Sequence, residues 1–324
     1  MINNILDKVG NTPLVEIKLR DKPVLQLFAK LEFCNPTGSV KDRAASYVIK
    51  RILDEGIIDK DTVLIESSSG NFGVALSAYS KMNGLKFICV IDENTSPVNE
   101  MLIKSQGAQI IKIKEQDEYG GYLLNRIGKV EEIVNETSNI YWINQYENPL
   151  NAEAYYQTLG NEICNGFDDN IDYIFLGVSS GGTITGVSQR IKKKFPNAKI
   201  IAVDIFGSVI FGNTPKKRYI PGIGSSMVPR ILQSALIDDI VYVDEIETVE
   251  GCKELLQDHA IFAGGSSGSV YAAIRKYFSI REIKETVNVV CIFPDRGERY
   301  YNTVYDDCWC NQYLMKKDAI KSTG

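Results

Sequence analysis

Three times along this chain an apolar run ends in a cluster of serines and glycines and passes at once into helical spacing. Val63-Leu64-Ile65-Glu66 leads into Ser67-Ser68-Ser69-Gly70-Asn71-Phe72-Gly73, followed by Val74, Ala75 and Ala78. Ile174-Phe175-Leu176-Gly177-Val178 leads into Ser179-Ser180-Gly181-Gly182-Thr183, followed by Ile184, Val187 and Ile191. Ile261-Phe262-Ala263 leads into Gly264-Gly265-Ser266-Ser267-Gly268-Ser269, followed by Val270, Ala273 and Ile274. Small residues let backbone N–H groups approach a ligand, and the helix start that follows favours an anion. None of the turns continues into Gly-Lys-Ser/Thr, and none reads G-x-G-x-x-G, so neither a P-loop nor a dinucleotide fingerprint is expected.

Strand-like runs recur near 24–33, 62–66, 86–92, 108–113, 171–178, 198–204, 240–244 and 287–293, with helical patterns between most of them. This alternation predicts an α/β protein with mostly parallel sheets. Two open α/β domains are expected. Residues 36–149 would form a smaller, mobile domain with three strands; residues 1–35 and 150–324 would form a larger one. A ligand belongs between them, at the C-terminal ends of the strands.

Lys41 stands out within Asn35-Pro36-Thr37-Gly38-Ser39-Val40-Lys41-Asp42-Arg43. Apolar residues at 40, 44, 45, 48, 49, 52 and 53 mark the start of a helix, with Ser39 as the expected N-cap. The helix dipole disfavours a cation in the first turn. A lysine there either reaches solvent or is held where it neutralises easily, and a neutral lysine is a nucleophile able to form a Schiff base. Together with three anion-grade turns, it describes a ligand with a phosphate, a carbonyl and polar ring atoms. Pyridoxal phosphate fits that description.

Composition narrows the alternatives. The chain has 324 residues and a net charge of -5, which argues against nucleic-acid binding. No apolar run approaches the ~20 residues of a membrane span, and no secretory pattern opens the sequence. Seven scattered cysteines suit a reducing, cytoplasmic setting. Cys89 and Cys291 read as core thiols, and Cys308-Trp309-Cys310 lacks the second pair a metal site needs. The single histidine, His259, reads as structural, which weakens Ser-His-Asp and zinc schemes.

From Gly10-Asn11-Thr12-Pro13-Leu14 to Pro294-Asp295-Arg296-Gly297-Glu298-Arg299-Tyr300, the chain resembles the cysteine synthase family of fold-type II pyridoxal-phosphate enzymes. The resemblance implies a homodimeric transferase that carries out β-replacement on small amino acids. It implies that Lys41 carries the cofactor as a Schiff base, that Asn71 bonds the ring hydroxyl oxygen and that Ser266 faces the pyridine nitrogen. Ser179, Ser180, Gly181, Gly182 and Thr183 would hold the cofactor phosphate. Ser68, Ser69, Gly70, Asn71 and Gln145 would hold the substrate carboxylate.

Gly120-Gly121-Tyr122-Leu123, Tyr141-Trp142-Ile143-Asn144-Gln145-Tyr146, 207–212 and 221–224 are similar to the branch of that family that joins O-phospho-L-serine to L-glutamate in siderophore pathways. Three departures from sulfide-using relatives accompany this likeness. Phe72 stands where threonine is usual, Ser179-Ser180 replaces Gly-Thr, and Gly265 replaces a bulky aliphatic residue, leaving room beside Ser266. Arg126, in a helical pattern with Leu123, Ile127 and Val130, and Tyr146 are candidate partners for a phosphate or carboxylate. Arg43 and Arg296 read as structural. Sulfide-dependent cysteine synthesis, elimination alone and a silent binding module are the competing expectations.

Overall fold

In a computed structural model of the protein, residues 4–117 and 120–315 are described. Residues 1–3, 118–119 and 316–324, which the two expected domains include, lie outside them. Ten strands are described: β1 (Leu14–Lys18), β2 (Leu25–Leu31), β3 (Val63–Ser67), β4 (Lys86–Asp92), β5 (Gln109–Ile113), β6 (Ile140–Trp142), β7 (Tyr173–Gly177), β8 (Lys199–Ile205), β9 (Asp239–Val243) and β10 (Val287–Phe293). They form a six-stranded sheet, β1-β2-β10-β7-β8-β9, and a four-stranded sheet, β5-β4-β3-β6. Among the described strand pairs only β1–β2 is antiparallel.

The principal helices are α1 (Lys41–Asp54), α2 (Asn71–Met82), α3 (Pro97–Ser105), α4 (Leu123–Glu136), α5 (Pro149–Tyr155), α6 (Asn161–Asn165), α7 (Gly182–Lys194), α8 (Glu245–His259) and α9 (Gly265–Ser279). The small sheet is parallel and covered on both faces, so successive side chains of a strand enter opposite cores. Phe87, Cys89 and Ile91 of β4 join the core made with α1 and α2, whereas Ile88 and Val90 pack with Val130 of α4. The same period of two splits β10. Val290 and Ile292 join the core shared by both sheets, while Val289, Cys291 and Phe293 pack under α9.

Two strands escaped the sequence reading. β1 is an edge strand whose residues are mostly exposed, so its apolar signal is weak. β6 has only three residues and gives the smaller sheet four strands rather than three. The N-cap expectation also shifts: Val40, in a helical conformation, precedes α1, while the Ser39 hydroxyl accepts the Lys41 N–H at 3.2 Å.

The start of α1 is fastened to the six-stranded side. Val40 N–H donates to the Pro294 carbonyl at 2.8 Å, and Ser39 bridges to Asp295. Arg43, 1% exposed, donates to Glu32 and Glu162. Lys30 also pairs with Glu162 at 2.7 Å, and Thr12 donates to Glu32 at 2.6 Å. Gly10 has a φ of 84°, and a Cβ there would lie 2.8 Å from Glu162 Oε1 and 3.0 Å from Arg43 Nη1. The Gly10-Asn11-Thr12 segment thus closes over a buried ion network, as the structural reading of Arg43 requires. Arg296, by contrast, makes an exposed pair with Glu298.

Candidate active site

Five parallel strands end around one cavity of about 200 Å³. The turn after β3 supplies Ser68, Ser69, Gly70 and Asn71; the turn after β7 supplies Ser179, Ser180, Gly181 and Thr183. Asn94, Ser96 and Asn99 follow β4, Gln145 and Tyr146 follow β6, and Asp295 follows β10. Lys41, Arg126 and Ser266 complete the polar wall. Every expected site residue lines this cavity except Gly182, which opens α7 behind it. A Cβ at Gly182 would lie 2.5 Å from Asn151 Nδ2.

Lys41 donates to the Ser180 hydroxyl at 3.2 Å, across 139 positions of sequence. Burial lowers its pKa to about 8, against the opposing pull of the Glu66 and Asp295 charges. The ammonium is therefore easy to neutralise, as its place at a helix start implied. Glu66 lies fully buried just before the turn at 68–71. Burial raises its carboxyl to about 7, although the N–H groups of Ser67 and Gln145 donate to it at 2.9 and 3.2 Å. Burial also raises the Asp295 carboxyl. Tyr146 is buried, and its phenol is pushed up to about 12 by desolvation.

The turns have the local chemistry their sequences suggest. Gly70 precedes α2, and a Cβ on it would meet nothing within 4 Å, so the backbone faces open cavity. The Ser68 hydroxyl accepts the Gly73 N–H at 2.9 Å and so caps that helix. Gln145 Nε2 donates to the Ser67 carbonyl at 3.1 Å, tying β6 to the same turn. Gly181 has a φ of 85°, which lets the chain turn sharply into α7. The Ser179 hydroxyl donates to the Gly224 carbonyl at 3.1 Å.

Asn71 Nδ2 donates to Asp295 Oδ2 at 2.7 Å, joining the two sheets across the cavity. Tyr300 donates to the same carboxylate oxygen at 2.8 Å. Arg126, 8% exposed, has Nε 3.2 Å from Asp92 Oδ2, but off-axis: the charges pair without an aligned hydrogen bond. Gly265 departs from expectation. It does not open the cavity, because Ile220 Cγ2 and the Tyr300 ring fill the space where its Cβ would stand, at 2.5 and 3.3 Å.

Six residues on this wall carry a buried polar atom with no hydrogen-bond partner among the described residues: Asn71, Ser96, Asn99, Arg126, Asp295 and Arg299. Native interiors leave few such atoms unpaired, so their concentration here points to a polar ligand. Pyridoxal phosphate fits this donor set. Lys41 offers an amine for its aldehyde, the Ser179-Ser180-Gly181-Gly182-Thr183 turn and the N-terminus of α7 suit its phosphate, and Asn71 and Ser266 offer polar groups for its ring.

Asp295, Arg299, Ser96 and Asn99 were not foreseen as site residues. Asp295 had a signal, an acid directly after an apolar strand. Ser96 and Asn99 had none, since they reach the cavity only through the packing of α3.

The fold and the site define a pyridoxal-phosphate enzyme of fold type II. Residues 5–295 match the family described as pyridoxal-phosphate dependent enzyme, and the chain belongs to that family. It is similar to the solved O-acetylserine dependent cystathionine beta-synthase from Helicobacter pylori, with 30% identity, a TM-score of 0.87 and coverage of 94% of this chain and 98% of that one. It is also similar to a hydrogen sulfide-producing enzyme from Fusobacterium nucleatum, with 30% identity, a TM-score of 0.86 and coverage of 93% and 100%.

Proposed function

We propose that this enzyme joins O-phospho-L-serine and L-glutamate to give N-(2-amino-2-carboxyethyl)-L-glutamate and phosphate, supplying a 2,3-diaminopropionate precursor for siderophores or related products. The observation that carries the proposal is Arg126, a buried guanidinium in the cavity wall whose Nε lies beside Asp92 without an aligned hydrogen bond. Such a donor suits a phosphate leaving group or an acceptor carboxylate, and sulfide makes little demand on it. The likeness of 120–123, 141–146, 207–212 and 221–224 to the phosphoserine-using branch supports the same reading.

In the reaction a Cβ–N bond replaces a Cβ–O bond, and the electron pair of the broken bond leaves with phosphate. A proton from the amine ends on the phosphate product, so the change balances without an oxidant. The bound cofactor supplies an electron sink for the carbon next to the carboxylate. Lys41 Nζ, easily neutralised, removes the α-proton and later returns it. Ser68, Ser69, Gly70, Asn71 and Gln145 orient the substrate carboxylate. The Ser179-Ser180-Gly181-Gly182-Thr183 turn would hold the cofactor phosphate, and the Ser266 hydroxyl would face the pyridine nitrogen. A hydroxyl there stabilises a protonated ring less than a carboxylate does, which favours prompt elimination.

Residues 36–149 close toward the rest of the chain, excluding water. The enzyme works as a cytoplasmic homodimer. No helix among the described residues is long and apolar enough to cross a membrane.

A second reading, cysteine synthase using O-acetylserine or O-phosphoserine with sulfide, takes support from the O-acetylserine dependence of the similar Helicobacter pylori enzyme. One experiment separates them. The purified, yellow enzyme is incubated with each serine ester and with glutamate or sulfide, and products are read by mass spectrometry. The expected result is faster turnover with phosphoserine and glutamate; faster turnover with acetylserine and sulfide hands the assignment to cysteine synthesis.

A further inference from the structure

Asn99 sits in the first turn of α3, 7% exposed, in the cavity wall next to the substrate turn. Its Nδ2 donates to the Ser69 carbonyl at 3.3 Å. A carbonyl oxygen only accepts, so this bond decides which way round the amide lies. Oδ1 is left buried, with no partner among the described residues. An unmade buried acceptor is unfavourable, and a bound donor removes that cost.

The chemistry of that donor is restricted. A carboxylate oxygen carries only lone pairs, as does a phosphate dianion, so neither satisfies Asn99 Oδ1. Hydrosulfide offers at most a weak S–H. A neutral amine is the nucleophile that suits it, because one N–H points at the acceptor while the nitrogen lone pair stays free to attack. Arg126 of α4 lines the same cavity, and its guanidinium, whose Nε makes no aligned hydrogen bond to Asp92, is a donor for a carboxylate. The wall formed by α3 and α4 thus presents one acceptor and one cationic donor, which is the complement of an amino acid entering amine first.

We infer that Asn99 is a specificity residue whose Oδ1 receives the amino group of the second substrate and orients its lone pair for attack. This rests on the reading that the acceptor is an amino acid. It names the group that would select amines over sulfide.

The test compares wild-type enzyme with Asn99→Leu, using phosphoserine as first substrate and either glutamate or sulfide as second. Asn99→Ala replaces the leucine variant if that one does not fold. Removing the acceptor should lower kcat/KM for glutamate at least tenfold more than kcat/KM for sulfide. The glutamate concentration needed for half-saturation should rise, and the absorbance of the bound cofactor should persist. Loss of both activities by the same factor overturns the inference, because Asn99 would then act only through Ser69 and the substrate turn. Unchanged glutamate turnover overturns it as well. If wild-type enzyme uses sulfide but no amine, the proposed function and the inference fall together. A wild-type enzyme that uses amines alongside an indifferent Asn99 variant removes the inference alone.

Discussion

Arg43 Nε donates to Glu32 Oε2 at 2.6 Å, with both side chains fully buried, two residues after Lys41. The pair fixes the start of α1 against the strand pair β1–β2, and Glu162 closes the other side of the guanidinium. The position of Lys41 therefore depends on charges that do not line the cavity.

Breaking that network should be costly. Arg43→Met leaves Glu32 buried without its cation, and removing one partner of a buried pair typically destabilises by about 3–5 kcal/mol. Chemical denaturation of the purified variant checks this. A midpoint within experimental error of wild type would mean that the network contributes little.

Lys41→Met should abolish turnover yet stabilise the cofactor-free fold at neutral pH. The folded pKa of about 8 lies below the model-peptide value of 10.5, so between these values the unfolded chain binds the proton more tightly. The destabilisation is complete below about pH 8, shrinks as pH rises, and vanishes above 10.5. At pH 7 the variant should gain roughly 2–3 kcal/mol after allowance for water in the cavity. Urea unfolding at pH 7 and pH 10 should show the gap narrowing, and turnover within tenfold of wild type would remove Lys41 from the chemistry.

Arg126→Ala should lower kcat/KM tenfold to a hundredfold for phosphoserine or for glutamate, since a hydrogen bond to a charged group contributes roughly 1.5–3 kcal/mol. Cofactor absorbance should be unchanged. Wild-type kinetics with both substrates would make this arginine a partner of Asp92 and nothing more.

Gly265→Ala should cost stability rather than change acceptor choice. Its Cβ would press on Ile220, itself 1% exposed, and overpacking of this kind costs about 1–3 kcal/mol. A thermal melt reports the cost, and an altered preference between glutamate and sulfide without loss of Tm would restore the idea that Gly265 makes room.

Binding of phosphoserine should compact the protein. The Asn71–Asp295 bond already spans the two sheets, and a ligand gripping the turn at 68–71 and the turn at 179–183 would draw them together. Small-angle scattering profiles that superimpose with and without phosphoserine would argue for a rigid site.

Much of this was legible in the residues themselves. The three small-residue turns each precede a helix, Lys41 opens one, and eight of the ten strands coincide with apolar runs, because buried parallel strands and helix starts have strong local patterns. Less visible was whatever depends on packing between distant segments. The Arg43 network joins residues 10–12, 30–32 and 162; Glu66 becomes a carboxyl that titrates near neutrality only because β3 is covered on both faces. Asn99 has no local signature at all. Gly265 shows the reverse error, in which a missing side chain suggested space that a neighbour, Ile220, already occupied.

The division of the cavity between two sheets bears on how such a chain diversifies. A recombination event that exchanged residues 63–142 would carry the 68–71 turn, Asn99 and Arg126 in one block, leaving Lys41, the 179–183 turn and Ser266 with the recipient. Chimaeras built that way should inherit their cofactor from one parent and their appetite for nucleophiles from the other, provided the incoming block keeps an asparagine able to reach Asp295.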